Sequence, residues 1–131
     1  MTVNFSGAWN VNLLQSRLLG PTPKAISIKI EQLELELMEE VLVTMDGSED
    51  RLVFQCCING EKDRNLLNGK PIRGTARWEG EELLIESWVQ FAGREMHFRD
   101  RWSLSSDRQT LIMEHRDGDL AGQITVLDQV A

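Results

Sequence analysis

Turn dipeptides at near-regular intervals constrain this chain more than any other feature. Asp46-Gly47, Asn59-Gly60, Asn68-Gly69, Glu79-Gly80, Ala92-Gly93 and Asp117-Gly118 recur along the sequence, and Ser105-Ser106-Asp107 fills the one long gap. Such pairs supply the positive φ that tight hairpins require. Their spacing predicts a sandwich or barrel of short strands. Pro21, Pro23 and Pro71 all fall outside the runs read as strands, where a missing N–H does little harm.

Between the turns the sequence has period 2. Over residues 33–45 the odd positions read Leu33, Leu35, Leu37, Glu39, Val41, Val43 and Met45, while the even ones are mostly polar. Leu33, Leu37 and Val41 also fall at helical spacing, but an odd phase broken only by Glu39 favours a half-buried strand. The same phase predicts about ten strands, near 6–13, 24–30, 33–45, 49–57, 61–67, 71–78, 82–91, 95–104, 109–116 and 121–129. Only the link 14–23 has room for a helical turn.

The hairpins test one another. A loop at Glu31-Gln32 sets Ile30, Ile28 and Ile26 opposite Leu33, Leu35 and Leu37. A turn at Asp46-Gly47 or Gly47-Ser48 puts Val41 and Val43 on the face of Leu52 and Phe54. One at Ala92-Gly93 puts Leu83, Ile85, Val89 and Phe91 on the face of Met96, Phe98, Trp102 and Leu104. Closing 105–110 as a loop pairs Leu104 with Leu111 and Trp102 with Met113, and the last turn brings Ile124 and Val126 to Leu111. Apolar meets apolar each time, and a slip of one residue would break the agreement. On the outer face Arg73 is expected opposite Glu86, Glu86 beside Arg99 or Arg101, and Arg101 opposite Glu114, a ladder of alternating charge. The fold expected is all-β: one domain spanning 1–131, an antiparallel up-and-down meander closing into a barrel.

At 131 residues the chain suits a single core. Its net charge of −7, without a cluster of Lys and Arg, argues against nucleic acid and against an anionic membrane surface. No apolar run approaches the ~20 residues of a membrane span. Met1-Thr2-Val3-Asn4-Phe5 lacks the pattern of a signal peptide, so the chain as written is read as cytoplasmic. Cys56 and Cys57 are adjacent and point to opposite faces of a strand, a poor geometry for a disulfide. No metal-ligand spacing is present, and no metal or cofactor is expected.

The opening Phe5-Ser6-Gly7-Ala8-Trp9 resembles the Gly-x-Trp first strand of the calycins, which comprise lipocalins, fatty-acid-binding proteins and avidins. Arg77-Trp78-Glu79-Gly80, Leu83-Leu84-Ile85-Glu86-Ser87 and the stretch from Arg99 through Asp107 to Thr110-Leu111 look like small uncharacterised bacterial lipocalin-like proteins. The resemblance spans nearly the whole chain and implies a barrel that holds a small apolar ligand. Its ten strands are closest to the fatty-acid-binding arrangement. Two departures stand out: the link after the first strand is too short for that family's helical lid, and the chain has no tyrosine. Arg99 and Arg101, which invite comparison with that family's carboxylate-binding arginine, fall in the outer phase. Neither family's binding residues are carried over.

The polar exceptions on the expected inner face are Glu39, Cys56, Asp63, Asn65, Ser87, Asp100 and His115. The register that pairs Trp102 with Met113 sets Asp100 opposite His115, and one of two turns sets Ser87 opposite Asp100. Such a pair beside a hydroxyl can orient a ligand or act as a general base with its orienting carboxylate. A satisfied core hydrogen bond is the simpler reading. Cys56, placed opposite Glu39, reads as a structural thiol, since a carboxylate neighbour raises a thiol's pKa. His97 falls outside. Trp9 is expected to plug the barrel floor, and Trp78 and Trp102 to line the interior. The candidate ligand-binding set is therefore Asp100, His115, Ser87, Trp78, Trp102, Phe54, Glu39 and Met113. Outside, Leu84, Trp88 and Ile112 form an apolar patch fit for a homodimer contact or for seating the 14–23 segment. Three functions follow: a carrier for a small apolar molecule, a small barrel enzyme (isomerase, cyclase or hydrolase) using Asp100 and His115, or a filled interaction module.

Overall fold

The computed structural model describes residues 3–58, 65–118 and 122–130. The expectations for the Asn59-Gly60 turn and Asp63 lie outside the described residues, as does the side chain of Phe91. The strands are β1 (Gly7–Val11), β2 (Ala25–Gln32), β3 (Glu36–Met45), β4 (Ser48–Cys57), β5 (Asn65–Leu67), β6 (Lys70–Glu79), β7 (Glu82–Phe91), β8 (Arg94–Leu104), β9 (Thr110–Asp117) and β10 (Gln123–Gln129). Each pairs antiparallel with its neighbour in sequence, and β10 pairs back onto β1 to close the barrel. Residues 33–45 contain no helix: β3 takes up all but the first three, as the odd-phase apolar run requires.

The turns supply the chirality the hairpins need. Asn68 and Gly69 both have positive φ, as do Ala92 and Gly93, which matches the two-residue turn that follows the twist of its strands. Across Ala92-Gly93, Val89 pairs with Met96 and Leu83 with Trp102. Across the 105–109 loop, Trp102 pairs with Met113 and Leu104 with Leu111. The β3–β4 turn is Asp46-Gly47, which sets Val41 against Leu52.

Three registers differ from expectation. In the β2–β3 hairpin, Ile30 pairs with Glu39, Ile28 with Val41 and Ile26 with Val43, six residues further along β3. An even shift leaves every side chain on its face, so hydrophobic alternation cannot see it. Contacts to the N-terminal segment favour the longer strand. The Gln32 side chain accepts from the backbone N–H of Phe5 at 2.9 Å and donates to the Val3 carbonyl at 2.9 Å. Leu33 and Leu35 are thereby left in the turn, 59% and 56% exposed.

In β10 the phase is reversed: Leu127 pairs with Leu111 and Thr125 with Met113, both buried, whereas Ile124 and Val126 face out. Closure decides this, because Val11 of β1 pairs with Leu127 and must share its face. On β6, Arg73 pairs with Trp88 rather than Glu86, and Glu86 lies between Thr75 and Arg99. A tight turn at Gly80-Glu81 sets that register. Arg101 does pair with Glu114, and it also binds Glu82.

Phe5, Trp9, Leu37, Leu83, Trp102, Leu111 and Leu127 fill one end of the barrel. Trp9 plugs this floor, and its Nε1–H donates to the Phe5 carbonyl at 3.0 Å. Phe5 stacks on Trp78 with ring centroids 5.8 Å apart and meets Trp102 edge-on at 5.7 Å. The link after β1 forms no helix. It continues along β10, where Arg17 bridges Ile124 and the Ser16 hydroxyl accepts from the Val126 N–H at 2.9 Å. The 14–23 segment is therefore seated on β10 and not on Trp88. Among the described residues no helix is long and apolar enough to cross a membrane.

Candidate functional site

Above the floor the barrel encloses a cavity of about 600 Å³. Its wall is mostly Ile, Val, Leu and aromatic side chains, with polar groups at a few positions. Glu39, Phe54, Ser87, Asp100, Trp102, Met113 and His115 all line it. Trp78 does not: it lies at the floor, stacked on Phe5. Thr125 and Gln123 also line the cavity, though the sequence put their phase outside. The signal that could have found them is barrel closure, since β1 fixes the parity of β10.

The strongest polar feature is the pair that β8 and β9 bring face to face. Asp100 is registered with His115, and the Asp100 Oδ1 to His115 Nδ1 distance is 2.7 Å. This hydrogen bond raises the imidazole's pKa above its usual value against the opposing effect of burial, with the charges of Asp100 and Asp117 adding to it. Phe98 packs on the ring at 5.2 Å. Ser87 pairs with Phe98 and Asp100 with Ile85, so the expected alignment of Ser87 with Asp100 is not the one adopted. Ser87 still lines the same lumen.

Glu39 comes from the other side of the barrel, on β3 opposite Phe54. It points inward because it occupies the phase of Leu37, Val41 and Val43. Burial pushes its carboxyl from 4.5 up to about 8, and the charge of Asp100 adds to the rise. Among the described residues no cation and no hydrogen-bond donor offsets this. Glu39 is therefore largely protonated at neutral pH, a hydrogen-bond donor in an apolar lumen.

Cys56 sits opposite Leu37, not Glu39, because the turn is Asp46-Gly47. Burial, then the charges of Glu39 and Cys57, push its thiol to about 12, which leaves it unreactive. Asn65 is buried in the wall, where its Oδ1 accepts from the Cys57 N–H at 3.3 Å. Its amide occupies the space beside Gly74, where an added Cβ would come within 2.4 Å of Asn65 Nδ2 and 2.7 Å of the Glu86 carbonyl.

Outside, Trp88 is flanked by its two cross-strand partners. The Arg73 guanidinium lies 4.7 Å from the ring centroid, and His97 stacks on it at 4.8 Å. His97 Nε2 is 2.9 Å from Glu86 Oε2. Trp88, Leu84 and Ile112 are all half-buried. Among the described residues no group of three or more His, Cys, Asp or Glu side chains is placed to hold a metal ion.

No family model matches the chain, and no curated protein is similar enough in sequence to count as a match. Solved structures do match. The wild-type fluorescent protein UnaG is 14% identical, with a TM-score of 0.65 over 96% of this chain and 97% of its own. Apo lipid binding protein 8 of Caenorhabditis elegans is 8% identical, with a TM-score of 0.66 over 96% of this chain and 95% of its own. Human cRBP IV is 13% identical, with a TM-score of 0.63 over 98% of this chain and 99% of its own. At such identities the likeness carries architecture alone. The chain has the ten-stranded barrel fold of the fatty-acid-binding and lipocalin-like calycins.

Proposed function

We propose that this protein binds a small apolar molecule inside the barrel, with the molecule's polar end among Glu39, Asp100 and His115. The observation that carries this reading is the cavity itself. Its volume of about 600 Å³ lies within the ~300–1,000 Å³ of small-molecule sites. An apolar wall with a few convergent polar groups is the usual composition of such a site. That volume weighs against a barrel filled by its own side chains. One fold neighbour is named a lipid binding protein, which supports the same reading.

The decisive experiment is native mass spectrometry of protein purified from its own host, joined to titration with the neutral fluorescent probe N-phenyl-1-naphthylamine. A retained small molecule and saturable probe binding are expected. Val41→Trp, which puts an indole into the lumen, should weaken probe binding by at least about tenfold. An empty protein that takes up no probe would sink the reading. The 2.7 Å Asp100–His115 bond at the cavity wall favours a second reading, in which the pair acts as general base and orienting carboxylate. Conversion of the retained molecule, lost in His115→Gln, would carry that reading instead.

A further inference from the structure

The ionisable groups around the cavity are unbalanced in sign. Glu39, Asp50, Asp100, His115 and Arg51 line it. Arg51 belongs to the outward phase of β4, where its Nη2 binds Glu40 Oε2 at 2.8 Å and its side chain is exposed. Arg99 and Arg101 stay on the outer face with Glu82, Glu86 and Glu114. Among the described residues the lumen is thus left with three carboxyl groups and one imidazole. The imidazole is already bonded to one of those carboxyls.

Glu39 is the group this arrangement does not explain. It is half-buried in the apolar wall of the cavity, its carboxyl has no counterion among the described residues, and Asp100 lines the same lumen closely enough to be felt electrostatically. Among the described residues this inward carboxyl makes no hydrogen bond or ion pair that would hold the fold. Replacing it with Val or Leu would extend the stripe of Leu37, Val41 and Val43 and remove a desolvation cost. An anionic head group between Glu39 and Asp100 would add a further negative charge at low dielectric, with no free cation among the described residues to meet it. A cationic head group would meet both carboxylates.

We propose, on the basis of the ligand-binding reading above, that the molecule held in this cavity is an apolar compound bearing a basic nitrogen, bound as its cation between Glu39 and Asp100. Binding ionises Glu39. The ammonium arrives already protonated, the Glu39 carboxyl gives its proton to solvent, and a carboxylate–ammonium pair remains. The ionisable groups that face Glu39 are Asp100 and His115 across the lumen, Cys56 on β4 and Asp50 at the rim. The chain's net charge of −7 adds a long-range attraction for cations.

The test is displacement of N-phenyl-1-naphthylamine from the intact protein by decylamine, decanol and decanoate at pH 7. These have the same tail and a cationic, neutral or anionic head. Decylamine should bind more tightly than decanol, and more tightly than decanoate by at least about tenfold. Calorimetry in two buffers of different ionisation enthalpy should report release of about one proton per decylamine bound. In Glu39→Gln and in Asp100→Asn the ratio of amine to alcohol affinity should fall towards one, with circular dichroism confirming that each variant is folded. Decanoate binding as tightly as decylamine, or an amine preference that survives in both variants, would overturn the assignment. Decanol binding without any amine preference overturns this inference and leaves the ligand-binding reading standing. Failure of the probe and all three amphiphiles overturns both.

Discussion

Glu39 links the interior chemistry to stability. A carboxyl whose pKa rises on folding binds its proton more tightly in the native state, so stability falls as pH rises from the unfolded value of 4.5 to the folded value of about 8 and is flat above that. A shift of that size corresponds to about 5 kcal/mol between the two ends of the window. His115 acts in the same direction. Its raised pKa adds stability at low pH that is lost as pH climbs through the folded value. The expected outcome is a denaturation midpoint that falls between pH 5 and pH 9, with Glu39→Gln flattening most of the slope and exceeding wild type at the alkaline end. Urea melts at several pH values check this, and an unchanged slope in the variant would mean Glu39 titrates normally. The sequence showed that Glu39 broke an apolar phase and that Asp100 faced His115. It could not show that Glu39 and Asp100 share one lumen, because residues on opposite walls of a barrel are joined by no local rule.

At the scale of elements, turns and strands follow different logic. Gly47, Gly69, Gly80, Gly93 and Gly118 all take positive φ, so the turn dipeptides were legible from residue type alone. Ala92 is the outlier, since it holds φ 52° with a Cβ in the first position of its turn. Ala92→Asn should therefore stabilise the β7–β8 hairpin by about 0.5 kcal/mol, seen as a higher urea midpoint at unchanged m-value. A lower midpoint would show that the turn tolerates alanine for another reason. Strand registers were legible in β7–β8 and β8–β9, but in β6–β7 the two-residue Gly80-Glu81 turn sets Arg73 against Trp88 and not the expected Glu86. They were not legible in β2–β3. There the partner that selects the longer strand is the N-terminal segment, held by Gln32.

For the whole molecule, the barrel is hollow at one end because it is filled at the other. Phe5 comes from the segment before β1 and is fully buried between Trp78 and Trp102. Beneath the cavity it serves as part of the floor. Phe5→Ala should cost about 3–5 kcal/mol and open the lumen downward, lowering the thermal midpoint and loosening probe binding together. A variant that lost neither would show that Trp9 and Leu37 close the floor unaided. The outer surface carries a different design: Trp88 is held between Arg73 and His97, so the aromatic that the sequence offered as a sticky patch is already occupied on both sides by its own sheet.

The amino-acid order by itself determined the fold class, the number of strands, the closed turns and the face of nearly every residue, because backbone chirality at turns and the two-residue period of strands are local properties. It also determined that Arg99 and Arg101 face water and that Asp100 meets His115. Only the tertiary structure decided the phase of β10, the long reach of β2, the neighbour of Cys56 and the meeting of Glu39 with Asp100 across the lumen. The phase of β10 and the meeting of Glu39 with Asp100 depend on closing the ring, which joins residues that no hairpin connects, while the reach of β2 depends on the N-terminal segment and the neighbour of Cys56 on which residues make the β3–β4 turn.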